Sequence, residues 1–566
     1  MDAGQPATSP QRPPVRHEQG ETHAVTNQPP PLEPYDALSA DAALGEALHR
    51  WAQPALDGAA GSRLAEIGAL AGSARARAWA FDAHRHPPRL VSHDRYGRRV
   101  DEVEFHPAWH ELLGRAVGWG LHATPWTSDE PSAHLTRAAG FYLWSQAEAG
   151  HGCPVSMTYA AVPALRTDPG LADEWVPKLA STAYDPGLRP AGEKRGALAG
   201  MAMTEKQGGS DVRANTTRAD PVGSHGDYVL TGHKWFCSAP TSDLFLVLAQ
   251  APDGLTCFAV PRVLPDGSRN VFRLVRLKDK LGNRSNASAE VEFASTWARR
   301  LGEEGRGVAT IIAMVAATRL DCVIGSAALM RRALTEAIWH ARHRQAFGGP
   351  LVDKPAMTNV LADLAVEQEA ATLLALRLAH GVDAASSARE QALLRIALPA
   401  AKYLVCKRAP GFAAEALECL GGNGYVEDSG MSLLFRESPL NSIWEGAGTI
   451  QALDVLRALQ REPAAVDAWL GEVAPVRGAD PRLDRAVEDV LTSLADLEQP
   501  EVAARRLAER LALILQGALL VRFGPPAVAD AFCATRLGRD WGTTYGTLPR
   551  GIETAAIVDR AFEPVH

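Results

Sequence analysis

The sequence predicts an α+β protein in which a central antiparallel β domain separates two helical regions. Apolar residues recur at helical spacing up to about residue 190, alternate in short runs up to about residue 300, and then return to helical spacing. With 566 residues, the chain is long enough for three or four domains. Its content of 46% hydrophobic and 22% charged residues excludes a mostly disordered or fibrous protein.

The N-terminal part is expected to contain an arm and a helical domain. Residues 1–35 carry the runs PQRPP and QPPPLEP and few large apolar side chains, so we expect a flexible, proline-rich arm. Residues 36–194 are expected to be helical, with amphipathic or buried helices in HPAWHELLGRAVGWGLHA and HLTRAAGFYLWSQAEAG. Breaks are expected at HRHPPRL and DRYGRR.

Residues 195–300 are expected to form the β domain. Its strands are rich in Val, Phe, Leu and Thr and are separated by turns that contain Gly, Asp or Asn. The predicted strands are DYVLTGHKWFCSA, LFLVLAQ, LTCFAVPR, VFRLVRLK and AEVEF.

The C-terminal half is predicted to be helical. Residues 301–460 are rich in Ala and Leu at helical spacing, and residues 461–566 form a further helical region broken at RGADPR and FGPP. The four long helices of the first part are expected over 311–343, 356–380, 388–421 and 442–459.

Charge and cysteine content argue against several classes of protein. The 58 Lys and Arg residues against 66 Asp and Glu residues leave a net charge of −8, so no chain-wide footprint for nucleic acid or anionic membrane exists, although a local basic patch remains open. Seven scattered cysteines without a CxxC pair disfavour a disulfide framework or a structural zinc site and favour the cytoplasm. No run of 18 uncharged apolar residues occurs, so no membrane span is expected.

Several catalytic motifs fail. The run from His110 to Gly114 lacks the second histidine of a zinc protease helix, and no metal site is expected. His340 and His343 have a spacing that could share a metal, but no carboxylate or cysteine partner is evident and partly exposed histidines are the favoured interpretation. The sequence has no GxSxG elbow, no GxxxxGK[ST] loop and no strand–GxGxxG–helix unit.

A glycine-containing segment at the entrance to the β domain can hold a phosphate group. In MTEKQGGSDV a hydroxyl and a carboxylate precede Gly208, Gly209 and Ser210. Two glycines let a ligand approach the backbone closely, and successive N–H groups with a serine hydroxyl can bind a pyrophosphate. An ordinary polar turn explains the segment equally well.

Four further segments indicate a function only when they are considered together. They are KWFCS at 234–238, RQAFGGP at 344–350, ECLGGNGY at 418–425 and NSIWEGAGTI at 441–450. In the last of these, Glu445 stands between a tryptophan and glycines. A carboxylate flanked by bulky apolar groups has a raised pKa, which suits a general base near neutral pH. A helix N-cap is the alternative interpretation of that residue.

Taken together, these segments resemble the acyl-CoA dehydrogenase family of FAD flavoenzymes. Residues 202–214 fit its first signature, and residues 418–425 fit the start of its second. The runs TNQPPPLEPYD, GRRVDEVEFHPAWH and LKDKLGNRSNAS, with the extra C-terminal helices, resemble its AidB-like branch of alkylation-response proteins. The resemblance extends from about residue 22 to the end. It implies an acyl-CoA dehydrogenase-like fold, FAD as cofactor and an acyl-CoA thioester as substrate.

The resemblance also implies residue roles. Glu445 is expected to remove the α-proton of the thioester while the β-hydride passes to flavin N5, because Thr318 occupies the alternative position of the base and carries no carboxylate. Arg344, Gly421 and Gly422 resemble elements that reach FAD from a neighbouring subunit, and the family usually forms homotetramers. The implied cofactor-binding residues are Met203, Thr204, Gly209, Ser210, Phe236, Ser238, Arg344, Gly421, Gly422 and Thr449.

Two positions depart from the family pattern. Trp444 stands where most members have tyrosine, so we expect an altered or narrowed acyl slot. Leu433 stands where the second signature has a basic residue, which weakens a local ion pair or surface charge and not the flavin site.

The AidB-like branch is associated with resistance to DNA alkylation and with binding of double-stranded DNA through its C-terminal region. Residues 451–566 contain 13 arginines, no lysine and 17 acidic residues, which leaves a net charge of −4. A solvated arginine-rich surface is the favoured alternative to a DNA site. Two hypotheses therefore stand: an acyl-CoA dehydrogenase, and a DNA-binding protective flavoprotein with weak or vestigial dehydrogenase activity. The candidate phosphate contacts are Arg505, Arg506 and Arg510 on one helical face and Arg536 and Arg539 on another.

Overall fold

The computed structural model describes residues 25–223, 226–495 and 499–563. The N-terminal part is a cluster of helices interrupted by one β-hairpin. Its elements are α1 (Ala42–Leu56), α2 (Ala59–Ala71), α3 (Ala74–Arg85), β1 (Arg89–His93), β2 (Arg99–Glu104), α4 (Pro107–Gly118), α5 (Ala133–Ser145), α6 (Gly152–Leu165) and α7 (Pro169–Leu179).

The hairpin of β1 and β2 replaces what the sequence suggested were two breaks between helices. The Asp94 side chain accepts hydrogen bonds from the backbone N–H groups of Tyr96 and Arg98, and Gly97 has a φ of +81°. An aspartate that bonds to the backbone two residues on, followed by a glycine in the left-handed region, forms a tight turn. The two strands pair antiparallel.

The expected flexible arm is wrong for its last residues. Leu32 and Tyr35 are buried in the main hydrophobic core, and the Glu33 carboxylate forms ion pairs with Arg77 and Arg332. The indole N–H of Trp339 donates to the Pro30 carbonyl at 2.8 Å. Residues 25–35 are therefore part of the fold, whereas residues 1–24 lie outside the described residues.

A seven-stranded sheet forms the central domain. The strand pairings β6–β4–β5–β9–β7 return to β6, so the sheet closes on itself, with β3 added to β6 and β8 to β9. The sheet is not wholly antiparallel, because β3 and β4 both pair parallel with β6. The strands are β3 (Ala199–Ala202), β4 (Arg218–Pro221), β5 (Asp227–Ser238), β6 (Leu244–Ala251), β7 (Gly254–Pro261), β8 (Phe272–Leu277) and β9 (Ser288–Leu301).

Long helices follow the sheet. The helix predicted over residues 442–459 starts at residue 448, because Glu445 and Gly446 both have positive φ values, +56° and +95°. The elements are α8 (Gly307–His343), β10 (Gln345–Ala346), β11 (Gly349–Pro350), α9 (Pro355–Asp383), α10 (Ala388–Cys419), α11 (Gly422–Tyr425), α12 (Met431–Glu437) and α13 (Gly448–Arg461).

Among the described residues, one helix, α8, is long and apolar enough to cross a membrane, and 56% of its apolar window is buried inside the protein. It packs against α6, α9 and α10. A core helix of a large bundle has the same composition.

The extra C-terminal region packs onto the bundle. Helix α16 contacts α9, α10 and α13, and its apolar residues join the same hydrophobic core as the N-terminal helices. The elements are α14 (Pro463–Val473), α15 (Pro481–Ala495), α16 (Pro500–Phe523), α17 (Pro526–Phe532), a π-helical turn (Cys533–Leu537) and α18 (Thr554–Ala561).

Candidate active site

Glu445 lies on a tight turn that two buried side chains hold in place. The Lys402 ammonium group on α10 donates to the carbonyl oxygens of Trp444 and Gly446, each at 2.8 Å. The side-chain amide of Gln451 donates to the carbonyls of Glu445 and Gly446, each at 2.9 Å. These bonds fix a non-glycine residue in the left-handed region, a strained conformation that clusters at functional sites.

The carboxylate of Glu445 meets the hydroxyl of Thr318 on α8. Thr318 Oγ1 donates to Glu445 Oε2 at 2.7 Å. Burial raises the pKa of Glu445 above its ordinary value, while the Thr318 hydrogen bond and the charges of Lys402 and Arg319 act in the opposite direction. The raised pKa that the sequence predicts for Glu445 is therefore also found in the structure. The two positions that the sequence presented as alternatives for a base are in direct contact.

The glycine-containing segment after β3 is shaped by a buried ion pair. Glu205 and Lys234, both with fully buried side chains, are 2.8 Å apart. Glu205 also accepts hydrogen bonds from the backbone N–H groups of Thr216 and Thr217. The carboxylate of the MTEKQGGSDV segment is thus used to fold the loop, and the pKa of Glu205 lies well below its ordinary value because Lys234 and the threonines outweigh its desolvation.

The same loop leaves two hydroxyl groups available. A Cβ atom at Gly209 would lie 2.4 Å from Thr204 Oγ1, so only glycine fits there without displacing the threonine side chain. Among the described residues, the hydroxyls of Thr204 and Ser210 have no hydrogen-bond partner. Met203, next to Thr204, is half-buried against the apolar cluster that also contains Trp444.

Strand β5 adds an aromatic face and a hydroxyl beside this loop. The backbone N–H of Trp235 donates to the Thr204 carbonyl at 2.8 Å, which ties the strand to the loop. Phe236 is 51% exposed, a high value for a large apolar side chain within a strand. The Ser238 hydroxyl lies 3.1 Å from that of Ser288.

A buried thiol connects this group of residues to the base. Burial raises the pKa of Cys153 to about 12, with Ser238 as a hydrogen-bonding neighbour and with Lys280 and Glu445 acting on it through their charges. Burial lowers the pKa of Lys280 to about 8. Its ammonium group donates to the Asn286 carbonyl and to the Ser288 hydroxyl. The Cys153 thiol therefore interacts both with Glu445 and with Ser238, one of the implied cofactor-binding residues of the β domain.

The remaining implied cofactor residues form a second group. Arg344 donates to the Asn27 carbonyl at 2.6 Å, and the Asn423 amide donates to the Gln28 side chain at 3.0 Å. Gly421 and Gly422 precede Asn423 and are exposed, with open space where a Cβ would stand. In the described parts of the chain, no hydrogen bond or ion pair joins this group to the first. Thr449, exposed at the start of α13, lies four residues after Glu445.

Comparisons with known proteins cover nearly the whole chain. Residues 27–186 match the adaptive response protein AidB N-terminal domain, residues 200–296 the acyl-CoA dehydrogenase middle domain and residues 305–460 the acyl-CoA dehydrogenase C-terminal domain. The chain is 46% identical to the "Putative acyl-CoA dehydrogenase AidB" of Escherichia coli K12, across 91% of this chain and 95% of that protein. The chain belongs to the acyl-CoA dehydrogenase family. Within it, the chain is AidB-like.

Two solved structures share this fold over most of the chain. The crystal structure of Caenorhabditis elegans ACDH-11 in complex with C11-CoA has a TM-score of 0.82 at 27% identity, with 94% of this chain and 95% of that chain covered. The structure named Bd2924 apo-form has a TM-score of 0.81 at 29% identity, with 88% and 99% covered. The acyl-CoA dehydrogenase-like fold predicted from the sequence is confirmed.

FAD is the cofactor of the family, and the residues of this AidB-like chain fit it. The unpartnered hydroxyls of Thr204 and Ser210 and the open backbone at Gly208, where φ is +143°, form a polar cradle at the edge of the β domain. Exposed Phe236 offers an apolar surface beside it. A bound dinucleotide would give these hydroxyl groups hydrogen-bond partners and would cover the exposed aromatic face.

The candidate DNA-contacting arginines do not form one surface. Arg536 is buried and forms ion pairs with Asp363 and Glu367, so its assignment as a DNA contact is wrong and it is a core residue. Arg505 turns back to the Tyr403 hydroxyl at 3.2 Å. The other three are near enough for their charges to interact: after the larger effect of burial, Arg539 and Arg506 lower the pKa of Arg510, while Asp489 and Glu509 raise it.

Sequence reasoning missed the residues that hold the site together. Lys402 and Gln451 support the Glu445 turn, and the buried Cys153 interacts with Lys280, with Ser238 of strand β5 and with Glu445. A lysine inside an otherwise apolar stretch, as in LPAAKYLVC around Lys402, is a usable signal, since a buried lysine needs several acceptors.

Proposed function

We propose that the protein is an FAD-dependent acyl-CoA dehydrogenase in which Glu445 removes the α-proton of an acyl-CoA thioester. The observation that carries the proposal is the Glu445 carboxylate, held by a fixed turn, with a pKa raised by burial and with Thr318 as its hydrogen-bond donor. A base with a raised pKa accepts a proton from a weak carbon acid more readily. FAD, when bound, accepts the hydride that leaves the β-carbon.

The chain supplies the positioning for this step. The backbone N–H of Glu445 has no acceptor among the described residues, so it is available to bind the thioester carbonyl as negative charge develops there. Cys153, Met157, Trp444 and Val315 belong to one apolar cluster, and Trp444 directly precedes the base in the chain. The Trp444 indole donates to the Asn441 side chain at 2.8 Å, which fixes the ring that lies where most relatives have tyrosine.

The test is anaerobic mixing of the yellow holoprotein with a panel of acyl-CoA thioesters while flavin absorbance is recorded. Straight chains near C11 come first, since the similar ACDH-11 is solved with C11-CoA, and shorter and branched chains follow. Rapid bleaching by one chain class supports the proposal and gives the substrate class. Absence of bleaching by every thioester, with FAD bound, contradicts it.

We also propose that the protein is a homotetramer in which Arg344, Gly421 and Gly422 reach the FAD of a neighbouring subunit. Two observations support this: the second residue group is separate from the first, and the neighbouring Phe347 and Tyr425 are 93% and 82% exposed. Large exposed apolar side chains on one surface are typical of an interface. Light scattering of the holoprotein tests the oligomeric state, and a monomer that retains FAD refutes the proposed tetramer.

A role in the response to DNA alkylation is the second candidate function. The observation that favours it is the cluster of Arg506, Arg510 and Arg539: after burial, the charges of Arg539 and Arg506 lower the pKa of Arg510, against the opposite effect of Asp489 and Glu509. A phosphate backbone relieves such repulsion. Arg539 already has one partner, Asp489, at 3.1 Å. Affinity for a random duplex is measured against salt concentration in the wild type and in a variant with all three changed to Gln. A slope that flattens by about three supports DNA binding, and no binding at low salt refutes it.

A further inference from the structure

A cavity of about 600 Å³ lies where the N-terminal helices, the bundle and the extra C-terminal region meet. It shares no lining residue with the candidate active site. The walls come from α1, α9, α10, α16 and the end of α14. The lining residues that matter are Trp51, Arg377, His380, Arg389, Arg522 and Phe523.

The two carboxylates in the wall share one arginine as hydrogen-bond partner. Arg377 forms two hydrogen bonds with Glu472, at 2.7 and 2.9 Å, and two with Glu390, at 2.9 and 3.0 Å. The charges of Arg522 and Arg389 also act on Glu472, without a hydrogen bond to it. The three lining arginines outnumber the two carboxylates, so the cavity keeps an excess of positive charge.

Two arginines have donors to spare. Arg389 makes one hydrogen bond, to the Gly471 carbonyl at 2.8 Å, although a guanidinium carries five N–H groups. Arg522 has no hydrogen bond or ion pair among the described residues. Its guanidinium lies 4.6 Å from the Phe523 ring centre, and that of Arg50 lies 4.2 Å from the same ring. Burial lowers the pKa of Arg50; the charge of Glu46 acts in the opposite direction, and the charge of Arg522 lowers the pKa further.

An aromatic wall with an unused nitrogen faces these cations. The rings of Trp51 and His380 are stacked, 5.7 Å apart and within 9° of parallel. His380 Nδ1 is buried and has no partner in the described structure. Burial lowers the pKa of His380, so the ring is neutral near pH 7 and can donate or accept one more hydrogen bond.

We propose that this cavity binds a small phosphate-bearing molecule with an aromatic base, of the class of a nucleoside diphosphate. Arg389 and Arg522 hold the phosphates, because a guanidinium fork matches phosphate oxygens and a dianion offsets the repulsion between Arg522 and Arg50. Trp51, His380 and Phe523 provide the apolar surface for the base. The volume is in the range of small-molecule sites.

The test is isothermal titration of ADP, pyrophosphate and adenosine into FAD-saturated holoprotein, so that the cofactor site is occupied. ADP and pyrophosphate are expected to bind, and adenosine to bind at least tenfold more weakly than ADP. Arg389→Gln and Arg522→Gln should each weaken ADP binding more than tenfold, since each removes a charge-assisted contact. Arg485→Gln, an exposed change on α15 outside the cavity, should leave it unchanged.

Three results overturn the proposal: no binding of either anion, equal binding of adenosine and ADP, or ADP binding that persists in both cavity variants. The last result assigns ADP to another site, such as that of the thioester. Flavin absorbance and the melting temperature confirm that the variants are folded. Arg377 is not a suitable target, because its loss leaves Glu390 and Glu472 buried without a partner.

Discussion

Replacing Thr318 with valine tests how the site controls its base. The change keeps the size of the side chain but removes the hydroxyl that donates to Glu445 Oε2 at 2.7 Å. That bond stabilises the ionised carboxylate, and a hydrogen bond to a charged group contributes about 1.5–3 kcal/mol. One pKa unit corresponds to about 1.4 kcal/mol, so the pKa of Glu445 should rise by about one to two units.

The direction in which the pH profile moves follows from the role of Glu445 as the base. Glu445 must be ionised to take the α-proton, so kcat/KM falls as pH decreases through its pKa, and this acid limb moves to higher pH in the variant. The assay is the pH profile of anaerobic flavin reduction by a saturable thioester, with Thr318→Ser as the matched control that retains the hydroxyl. A limb that stays in place in Thr318→Val, or moves to lower pH, refutes the reasoning.

Three further changes probe the supports of the site and of the fold. Lys402→Met leaves the Trp444 carbonyl without its donor and the Gly446 carbonyl with Gln451 alone, so we expect about 2 kcal/mol lower stability in urea unfolding and flavin reduction slowed at least tenfold, whereas Lys407→Met, exposed on the same helix, should change neither. Arg536→Gln leaves buried Asp363 without its cation and Glu367 with Arg408 alone, and should lower the free energy of unfolding by about 3–5 kcal/mol; a loss below 1 kcal/mol contradicts the buried ion pairs. Gly209→Ala pushes a Cβ against the Thr204 hydroxyl and should weaken FAD binding at least tenfold in fluorescence titration; unchanged affinity contradicts the cradle.

The order of helical, β and helical regions was predictable because hydrophobic period is a local property. The strands of the closed sheet are apolar on at least one face, and their alternating pattern ends where α8 begins. The hairpin of β1 and β2 escaped detection because its residues are mostly polar and half-exposed, which resembles a loop. The buried end of the N-terminal arm was missed for a related reason. Glu33 and Tyr35 are anchored by a partner, Arg332, that is distant in the sequence.

Candidate site residues could be predicted from the sequence only where they belong to a known motif. Glu445 and the residues from Met203 to Ser210 stand in recognisable segments, whereas the contact between Glu445 and Thr318 joins two helical regions far apart in the chain. The spacing of Arg536 and Arg539 indicated a shared helical face, but spacing does not distinguish the buried residue from the exposed one. The partners that bury Arg536 lie on α9, which no local pattern reveals.

The central claim is that the Glu445 carboxylate takes the α-proton. The most direct measurement is stopped-flow flavin bleaching, without oxygen, in wild-type and Glu445→Gln holoproteins at saturating thioester. Glutamine keeps the shape and the hydrogen bond to Thr318 but cannot accept a proton. We predict rapid bleaching in the wild type and a rate about 10²–10⁴-fold lower in the variant, which is the range that a general base contributes. Equal rates with equal FAD content would contradict it.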